Sequence, residues 1–221
     1  MVYFYEHKKF NAKDSFFMIA IVNYGVGNLF SLESSFNAIG QNVLITSNPN
    51  DLENAERIIL PGVGAFGDAA EKLFSSGLAQ PLIAQAQKGK PILGICLGMQ
   101  LLFTKSYEFG EFNGLNLIQG AVKPISNVIT HNLKIPQMGW NSLYFTNPSP
   151  IYSRTPNGSY VYFVHSYSAF CDEKFITATT DYGAALTASV QKGNIFGVQY
   201  HPEKSGSIGL DILRSFCEVK A

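Results

Sequence analysis

The sequence has 221 residues, of which 46% are hydrophobic, and its 16 basic side chains are balanced by 16 acidic ones. This length and apolar content are sufficient for a globular domain with a sizeable core. The balanced charge, without a basic cluster, argues against a nucleic-acid partner, and no apolar stretch approaches the roughly 18 residues of a membrane span.

The amino-terminal 17 residues do not resemble a signal peptide, because charges such as Glu6, Lys8 and Lys9 interrupt any apolar run. An apolar strand follows Met18 directly. We therefore expect Met18 to be the natural start, or residues 1–17 to form a loosely held extension.

From residue 18 onward, strand-like and helix-like segments alternate. Strands are predicted at 18–23, 42–46 and 57–60, a helix at 29–39 ending at Gly40, a helical region at about 68–88, and a further strand ending at Ile95. This βαβ rhythm predicts a mostly parallel central sheet flanked by helices, with functional groups on the loops at its carboxyl edge.

The second half is rich in β-branched and aromatic residues, separated by turns such as Lys192-Gly193-Asn194. Strands are predicted at 114–125, 142–145, 160–167, 175–180 and 185–200, followed by a helix at 207–219. The expected fold is α/β, with a mixed, mostly parallel sheet and added antiparallel strands. No linker divides the chain, so residues 18–221 are predicted to form one domain.

The three cysteines are Cys96, Cys171 and Cys217. Their odd number and their lack of metal-ligand spacing predict free thiols in a reducing compartment, which favours a cytoplasmic location. Neither a metal site nor a cofactor is indicated.

The most informative segment is Gly94-Ile95-Cys96-Leu97-Gly98, where an apolar strand ends and helix-forming residues begin. Small residues on both sides of a cysteine at a strand-to-helix corner are typical of a nucleophile elbow. The free amides at the start of the new helix favour a thiolate and a developing oxyanion. A buried structural cysteine is the alternative for this motif alone.

A cysteine nucleophile needs a base, and the base needs a group that orients it. His201 lies where a strand gives way to a loop, Pro202 restricts it to extended geometry, and Glu203 is near enough to turn back onto the ring. The other histidines lie in the extension, in a polar loop and inside a strand, where a surface or packing role is expected: His7, His131 and His165.

Acyl transfer also requires backbone amides near the attacked carbonyl. The amide of Leu97, directly after the cysteine, is one candidate, and the turn Gly62-Val63-Gly64 supplies the second. Neither this turn nor Gly25-Val26-Gly27 matches a phosphate-binding fingerprint.

Together, these motifs resemble those of class I (triad) glutamine amidotransferases: Gly94 to Gln100, Gly197 to Glu203 and Pro61 to Gly64. Within that class, the sequence is similar to the glutaminase subunits of imidazole glycerol phosphate synthases over residues 18–219. The segments that carry this likeness are Asn23 to Leu29, Pro61 to Phe66, Met138 to Asn141, Tyr162 to Tyr167 and His201 to Gly206.

The resemblance implies hydrolysis of glutamine through a thioester on Cys96, with His201 as base and then acid and Glu203 orienting it. It implies that amides at Val63 and Leu97 stabilise the oxyanion. The residues it implies for glutamine binding are Gly64, Gln100 and the main chain of Ser166 and Tyr167. A (β/α)8-barrel cyclase would be the heterodimer partner and would receive the ammonia for a step of histidine biosynthesis. The residues that would face it are Asn28, Met138, Trp140 and Lys204.

Two positions differ from what this family leads us to expect. Val63 stands in a turn that is richer in glycine in many class I relatives, so we expect the turn to reorient before its amide serves, and the isolated subunit to have low glutaminase activity. Asn23 stands where an aspartate is expected, which removes a charge from the partner-facing segment. Three alternatives remain at this point: a paralogue feeding another synthase, such as a surface-sugar amidotransferase, a cysteine peptidase, and a silent binding subunit.

Overall fold

The computed structural model describes residues 19–130 and 133–220. The expectations for residues 1–17, for the start at Met18 and for His131 lie outside this part of the chain. Within it, none of the helices combines the length and apolarity needed to cross a membrane.

The described chain contains fourteen strands and six α-helices. The strands are β1 (Ile19–Val22), β2 (Val43–Thr46), β3 (Arg57–Leu60), β4 (Ile92–Ile95), β5 (Phe103–Ser106), β6 (Phe112–Asn113), β7 (Ile118–Pro124), β8 (Gln137–Ser142), β9 (Tyr144–Phe145), β10 (Tyr160–His165), β11 (Tyr167–Cys171), β12 (Ile176–Asp181), β13 (Ala185–Lys192) and β14 (Ile195–Val198). The helices are α1 (Leu29–Ala38), α2 (Pro49–Asn54), α3 (Phe66–Ser75), α4 (Ala79–Gln87), α5 (Leu97–Leu101) and α6 (Gly206–Cys217).

An eight-stranded sheet forms the centre of the fold, in the order β2-β1-β3-β4-β14-β13-β12-β9. The first five strands of this order are parallel, and the remaining pairs are antiparallel. The predicted α/β fold with a mixed central sheet is therefore confirmed.

Both faces of the sheet are covered by apolar clusters, because successive side chains of a strand point to opposite faces. In β1, Ile19 and Ile21 pack with α1 and α6, whereas Ala20 and Val22 pack with α2, α3 and α4. The interiors of β1, β4 and β14 are consequently apolar, whereas β12 and β13 also bury hydroxyl side chains such as Thr177 and Ser189.

Three neighbouring parallel strands, β3, β4 and β14, end at the same edge of the sheet. The segments that follow them contain Pro61–Gly64, Cys96 and His201, respectively. Sheet topology thus brings together three predicted motifs that are far apart in sequence.

The remaining strands form two smaller sheets, in which β5 and β7 are parallel and the other pairs are antiparallel. A four-stranded sheet has the order β11-β7-β5-β6, and β8 pairs with β10 in a two-stranded ribbon. Strand β10 of this ribbon leads directly into the His165–Tyr167 segment. The ribbon therefore connects the surface of the protein to the predicted site.

The predicted helical region at about 68–88 is confirmed. It consists of α3 and α4, separated at Gly77, whose φ of +76° is not that of a right-handed helix. Helix α2 was not predicted, because six residues with one buried apolar side chain, Leu52, are too short to show a helical period.

Several strand boundaries in the second half were also wrong. The strand predicted at 114–125 begins only at Ile118, the segment 142–145 joins the end of β8 to β9, and the segment 160–167 is interrupted at Ser166. Strands β5 and β6 and most of β8 were not predicted. In β8, Gly139 weakens the strand signal.

Candidate active site

Cys96 occupies the corner between β4 and α5 in a left-handed backbone conformation, with φ of 53° and ψ of −111°. Such a conformation is uncommon for a residue with a side chain and is found at strained functional turns. The backbone of Cys96 is anchored by a hydrogen bond of 2.8 Å from its N–H to the carbonyl of Val198. The predicted elbow geometry is therefore present.

Glycines allow the elbow to pack against the neighbouring turn. A Cβ atom added at Gly62 would lie 2.6 Å from the amide nitrogen of Gly98, and one added at Gly94 would lie 2.7 Å from the carbonyl oxygen of Gly98. A side chain at Gly62 would push the Pro61–Gly64 turn away from the elbow, and one at Gly94 would push α5 away from β4.

His201 and Glu203 form a buried pair beside Cys96. The distance from His201 Nδ1 to Glu203 Oε1 is 2.7 Å, and the two side chains are 3% and 2% exposed. The imidazole also lies close enough to the side chain of Cys96 for that group to raise its pKa. Because Glu203 occupies Nδ1, Nε2 is the nitrogen left to exchange a proton with the sulfur.

The electrostatics of this pair favour the protonated imidazole. Burial by itself lowers the pKa of His201, but the hydrogen bonds and charges of Cys96 and Glu203 raise it, with a net value of about 10. A protonated His201 next to the sulfur is the arrangement that stabilises a thiolate.

His165 has a different role from His201. Burial lowers its pKa to about 4, which outweighs the hydrogen bond of 2.8 Å between its Nδ1 and the carbonyl of Tyr167. The neutral ring therefore donates through Nδ1, and its buried Nε2 has no partner among the described residues. His165 is thus packed as expected, but only one of its two ring nitrogens has a hydrogen bond to the described residues.

A cleft of about 310 Å³ opens in front of Cys96, within the usual size range of small-molecule sites. One wall is the elbow with the Pro61–Gly64 turn, and the opposite wall is the end of β10 with the residues after it. Of the predicted site residues, those that line it are Val63, Gly64, Cys96, Leu97, Gln100, Ser166, Tyr167 and His201.

The turn beside the cysteine combines an exposed side chain with a glycine of positive φ. Val63 is 43% exposed, and Gly64 adopts a φ of +90°. Behind the turn, the Tyr24 hydroxyl donates a hydrogen bond of 2.7 Å to the carbonyl of Pro61. The turn is thus fixed at its first residue and open to the cleft at its centre.

Gln100 lies one helical turn beyond Cys96, as predicted, and only 4% of it is exposed. Its Nε2 donates to the carbonyl of Tyr167 at 3.2 Å and to Oε1 of Gln199 at 2.9 Å. The amide oxygen of Gln100 is therefore free to accept a hydrogen bond from a ligand.

Glu108 also lines the cleft, and it was not predicted as a site residue. Its Oε2 accepts a hydrogen bond of 2.6 Å from the amide of Phe66, at the start of α3. Burial raises the pKa of Glu108, and this hydrogen bond partly offsets the effect. A carboxylate in this position is suited to a ligand ammonium group, and no local sequence pattern would have revealed it, since Phe66 is 42 residues away.

The predicted partner-facing residues lie mainly around the β8–β10 ribbon. Met138 is 63% exposed and Trp140 51% exposed, on the same face of β8. The ring of Tyr162 contacts Trp140 edge-on at 6.2 Å and lies 5.9 Å from the Lys204 ammonium. None of these contacts includes Asn28. Its side chain caps α1 by accepting a hydrogen bond from the amide of Ser31.

Within residues 19–130 and 133–220, no group of three or more histidine, cysteine or acidic side chains is arranged to hold a metal ion. Cys171 and Cys217 are not in disulfides. The chemical groups gathered at the cleft are those of nucleophilic acyl transfer.

Comparison with known sequences gives a family match over almost the whole chain. The model described as glutamine amidotransferase class-I matches residues 20–219. The imidazole glycerol phosphate synthase subunit HisH of Wolinella succinogenes is 45% identical over 204 residues, covering 91% of this chain and 100% of that protein. Its counterpart from Bacillus cytotoxicus is 47% identical over 199 residues, covering 90% and 93%.

Solved structures share the fold at lower identity. A glutamine amidotransferase structure has a TM-score of 0.70 at 16% identity and covers 90% of this chain and 97% of its own. The PurLQS structure from Thermotoga maritima has a TM-score of 0.66 at 20% identity and covers 90% and 96%. At these identities the similarity concerns the fold alone.

Proposed function

The chain belongs to the class-I glutamine amidotransferase family, and we propose that it is the glutaminase subunit of an imidazole glycerol phosphate synthase. In this role it hydrolyses glutamine to glutamate and ammonia. The observation that carries the proposal is the meeting of Cys96 and His201 at one cleft, with Glu203 bound to His201 Nδ1, in a chain 45–47% identical to HisH subunits.

The reaction begins with attack of the Cys96 sulfur on the side-chain carboxamide carbon of glutamine. The resulting oxyanion accepts hydrogen bonds from the amides of Leu97 and Val63. His201 gives its proton to the departing nitrogen as the C–N bond breaks, which releases ammonia and leaves a glutamyl thioester. Water then loses a proton to His201 and attacks the thioester, releasing glutamate and restoring the cysteine.

Glutamine binding is assigned to polar groups around the same cleft. Gln100 offers its amide oxygen, Gly64 and the main chain of Ser166 and Tyr167 contribute backbone groups, and Glu108 pairs with the α-ammonium group through the oxygen that Phe66 does not use. The carboxylate of Glu108 is therefore both a cap of α3 and a ligand for substrate.

The ammonia is delivered to a cyclase subunit with a (β/α)8 barrel, which uses it to make imidazole glycerol phosphate and aminoimidazole carboxamide ribotide in histidine biosynthesis. We assign the contact to Asn28, Met138, Trp140 and Lys204. The two exposed apolar side chains and the nearby cation support this assignment, since aromatic anchors rimmed by polar groups are typical of protein interfaces.

The assignment also extends to domain organisation and location. Residues 18–221 are proposed to form one amidotransferase domain that works in the cytoplasm, with residues 1–17 as an extension. The family match to residues 20–219 and the free thiols of Cys171 and Cys217 support this proposal.

The exposed Val63 turn is proposed as the gate of the glutaminase. Hydrolysis without a loaded partner would waste ammonia, so the turn supplies its amide fully only when the cyclase is bound. The test is the rate of glutamate formation by the isolated chain, by its complex with the cyclase from the same genome, and by the complex with the nucleotide substrate. We expect a low rate for the isolated chain and an increase at each step. Equal rates would refute the gate, and no hydrolysis in any mixture would refute the glutaminase assignment.

A further inference from the structure

Gln199 lies next to the sulfur of Cys96 and is completely buried. Its Nε2 is 3.7 Å from Cys96 Sγ, and its Oε1 accepts a hydrogen bond of 2.9 Å from Nε2 of Gln100. The backbone N–H of Gln199 is fixed to the carbonyl of Ala188 at 2.9 Å. One side chain thus connects the cysteine to Gln100.

Gln199 follows the end of β14 directly, and its side chain and that of His201 lie on the side of the chain that faces Cys96. Gln199 and His201 both reach Cys96, whereas the hydroxyl of Tyr200 lies 3.1 Å from that of Tyr152 inside the core.

A single carbonyl group determines how both amides are oriented. The main-chain oxygen of Tyr167 only accepts hydrogen bonds, so Gln100 must present its nitrogen there. That nitrogen also meets Gln199, which must therefore present its oxygen to Gln100. The NH2 group of Gln199 is left to face the sulfur, and the oxygen of Gln100 is left to face the cleft.

We propose that Gln199 is a positioning residue of the glutaminase reaction: it donates an N–H to the Cys96 sulfur and, through Gln100, fixes the acceptor that faces the substrate. This inference rests on the proposed function of the cleft. Unlike His201, Gln199 has no proton to give up, so its N–H remains a donor to the sulfur at each stage of the cycle in which Cys96 is a thiolate.

Other groups near the sulfur titrate, and a change at Gln199 leaves them in place. His201 contacts the sulfur, and His165 and Glu108 line the same cleft. The pKa of Tyr24 is raised by burial and, to a smaller extent, by the charge of Cys96. The effect of Gln199 is therefore measured best at one pH, by comparing variants that retain all four groups.

The test uses the full chain with Gln199→Met, Gln100→Met, the double variant, and Gln85→Met as a matched control. Gln85 is a buried glutamine that borders a groove with Arg57 and Lys90, at the opposite edge of the sheet. The first readout is the rate of Cys96 alkylation by iodoacetamide at pH 7, with the labelled cysteine identified by peptide mass spectrometry. The second is KM for glutamine in the complex with the cyclase.

Gln199→Met is expected to slow alkylation about tenfold and to raise KM about tenfold, because both of its hydrogen bonds are lost. Gln100→Met should raise KM to a similar degree and leave alkylation within about twofold of the wild-type rate, since Gln100 does not contact the sulfur. In the double variant KM should be no higher than in either single variant, because Gln199 acts on the substrate through Gln100. Gln85→Met should change neither quantity.

Wild-type alkylation and wild-type KM in Gln199→Met would overturn the inference, and so would additive effects of the two changes on KM. If Gln199→Met does not fold, as judged by circular dichroism, Gln199→Asn replaces it, because the shorter amide cannot reach both partners and predicts losses in the same direction. Absence of glutamine hydrolysis by the wild-type complex would instead refute the proposed function, and the alkylation rates would still decide whether Gln199 acts on the sulfur.

Discussion

Oε1 of Glu203 lies 2.7 Å from Nδ1 of His201, and both side chains are almost completely shielded from solvent. The contact is local in sequence, since only Pro202 separates the two residues. Its effect on the pKa of His201 depends on the burial of both side chains. In this setting the carboxylate both orients the imidazole and helps to retain its proton.

The first prediction concerns the stability of Glu203→Gln as a function of pH. The pKa of His201 is raised from 6.5 to about 10 in the folded protein, so its stabilising contribution is complete below about pH 6.5 and is lost as the pH rises through 10. An amide lacks the negative charge that helps to raise this pKa. The difference in free energy of unfolding between wild type and variant should therefore be largest near pH 6.5 and shrink towards pH 10. Urea unfolding at pH 6.5, 8 and 10 measures it, and a constant difference would contradict this account.

The second prediction separates the two roles of Glu108. Glu108→Gln keeps an oxygen for the Phe66 amide but loses the charge that pairs with an ammonium group, so KM for glutamine should rise about 10- to 100-fold, with little change in stability. Glu108→Ala should raise KM similarly and also destabilise the fold by about 1 kcal/mol, because the cap of α3 is lost. Steady-state kinetics of the complex and thermal unfolding provide the two measurements. An unchanged KM in Glu108→Gln would exclude the ammonium contact.

Glu108 also predicts how glutamine binding depends on pH. Burial raises the pKa of this carboxyl, so it gains a proton at a higher pH than an ordinary glutamate and then loses its charge for the substrate. KM should therefore increase on acidification in wild type, whereas Glu108→Gln should show a flatter profile. Parallel profiles in the two proteins would assign the pH dependence to another group.

The third prediction concerns the hydrogen bond from Tyr24 to the carbonyl of Pro61, which is buried. Tyr24→Phe leaves this carbonyl without its partner and should lower the free energy of unfolding by about 1 kcal/mol. The matched control is Tyr182→Phe, whose hydroxyl donates to the exposed carbonyl of Lys134, where water can replace it. Denaturant unfolding of both variants compares them, and equal losses would mean that burial does not decide the effect.

The fourth prediction tests the assigned interface. Trp140 is half exposed and held edge-on against Tyr162, which makes it the best candidate for an aromatic anchor. Trp140→Ala should weaken binding of the cyclase by about 2 kcal/mol or more in calorimetric titration. Phe74→Ala, which removes an exposed aromatic ring on α3, is the control and should bind normally. Unchanged affinity in Trp140→Ala would locate the interface elsewhere.

The parts of the site that could be predicted from sequence are those encoded by adjacent residues. The glycines around Cys96 and the proline between His201 and Glu203 restrict the local backbone, so their geometry follows from a few neighbouring positions. The parallel strand rhythm likewise predicted that the loops would meet at one edge of the sheet.

The parts that could not be predicted depend on contacts between distant residues. Glu108 caps a helix 42 positions earlier, and Gln199 meets Gln100 and Cys96 across 99 and 103 positions, so no local pattern distinguishes either residue. The short helix α2 and the two-residue strand β6 were missed for another reason: they bury too few apolar side chains to show a period.

The most direct test of the glutaminase assignment is the formation of imidazole glycerol phosphate by the complex of this chain with the cyclase, with either glutamine or ammonium chloride as nitrogen source. Wild type should use both. Cys96→Ala should lose glutamine-dependent synthesis by at least 1,000-fold, on the order of the loss for a catalytic nucleophile, and should retain synthesis from ammonium. Glutamine-dependent synthesis that persists in Cys96→Ala would contradict the account.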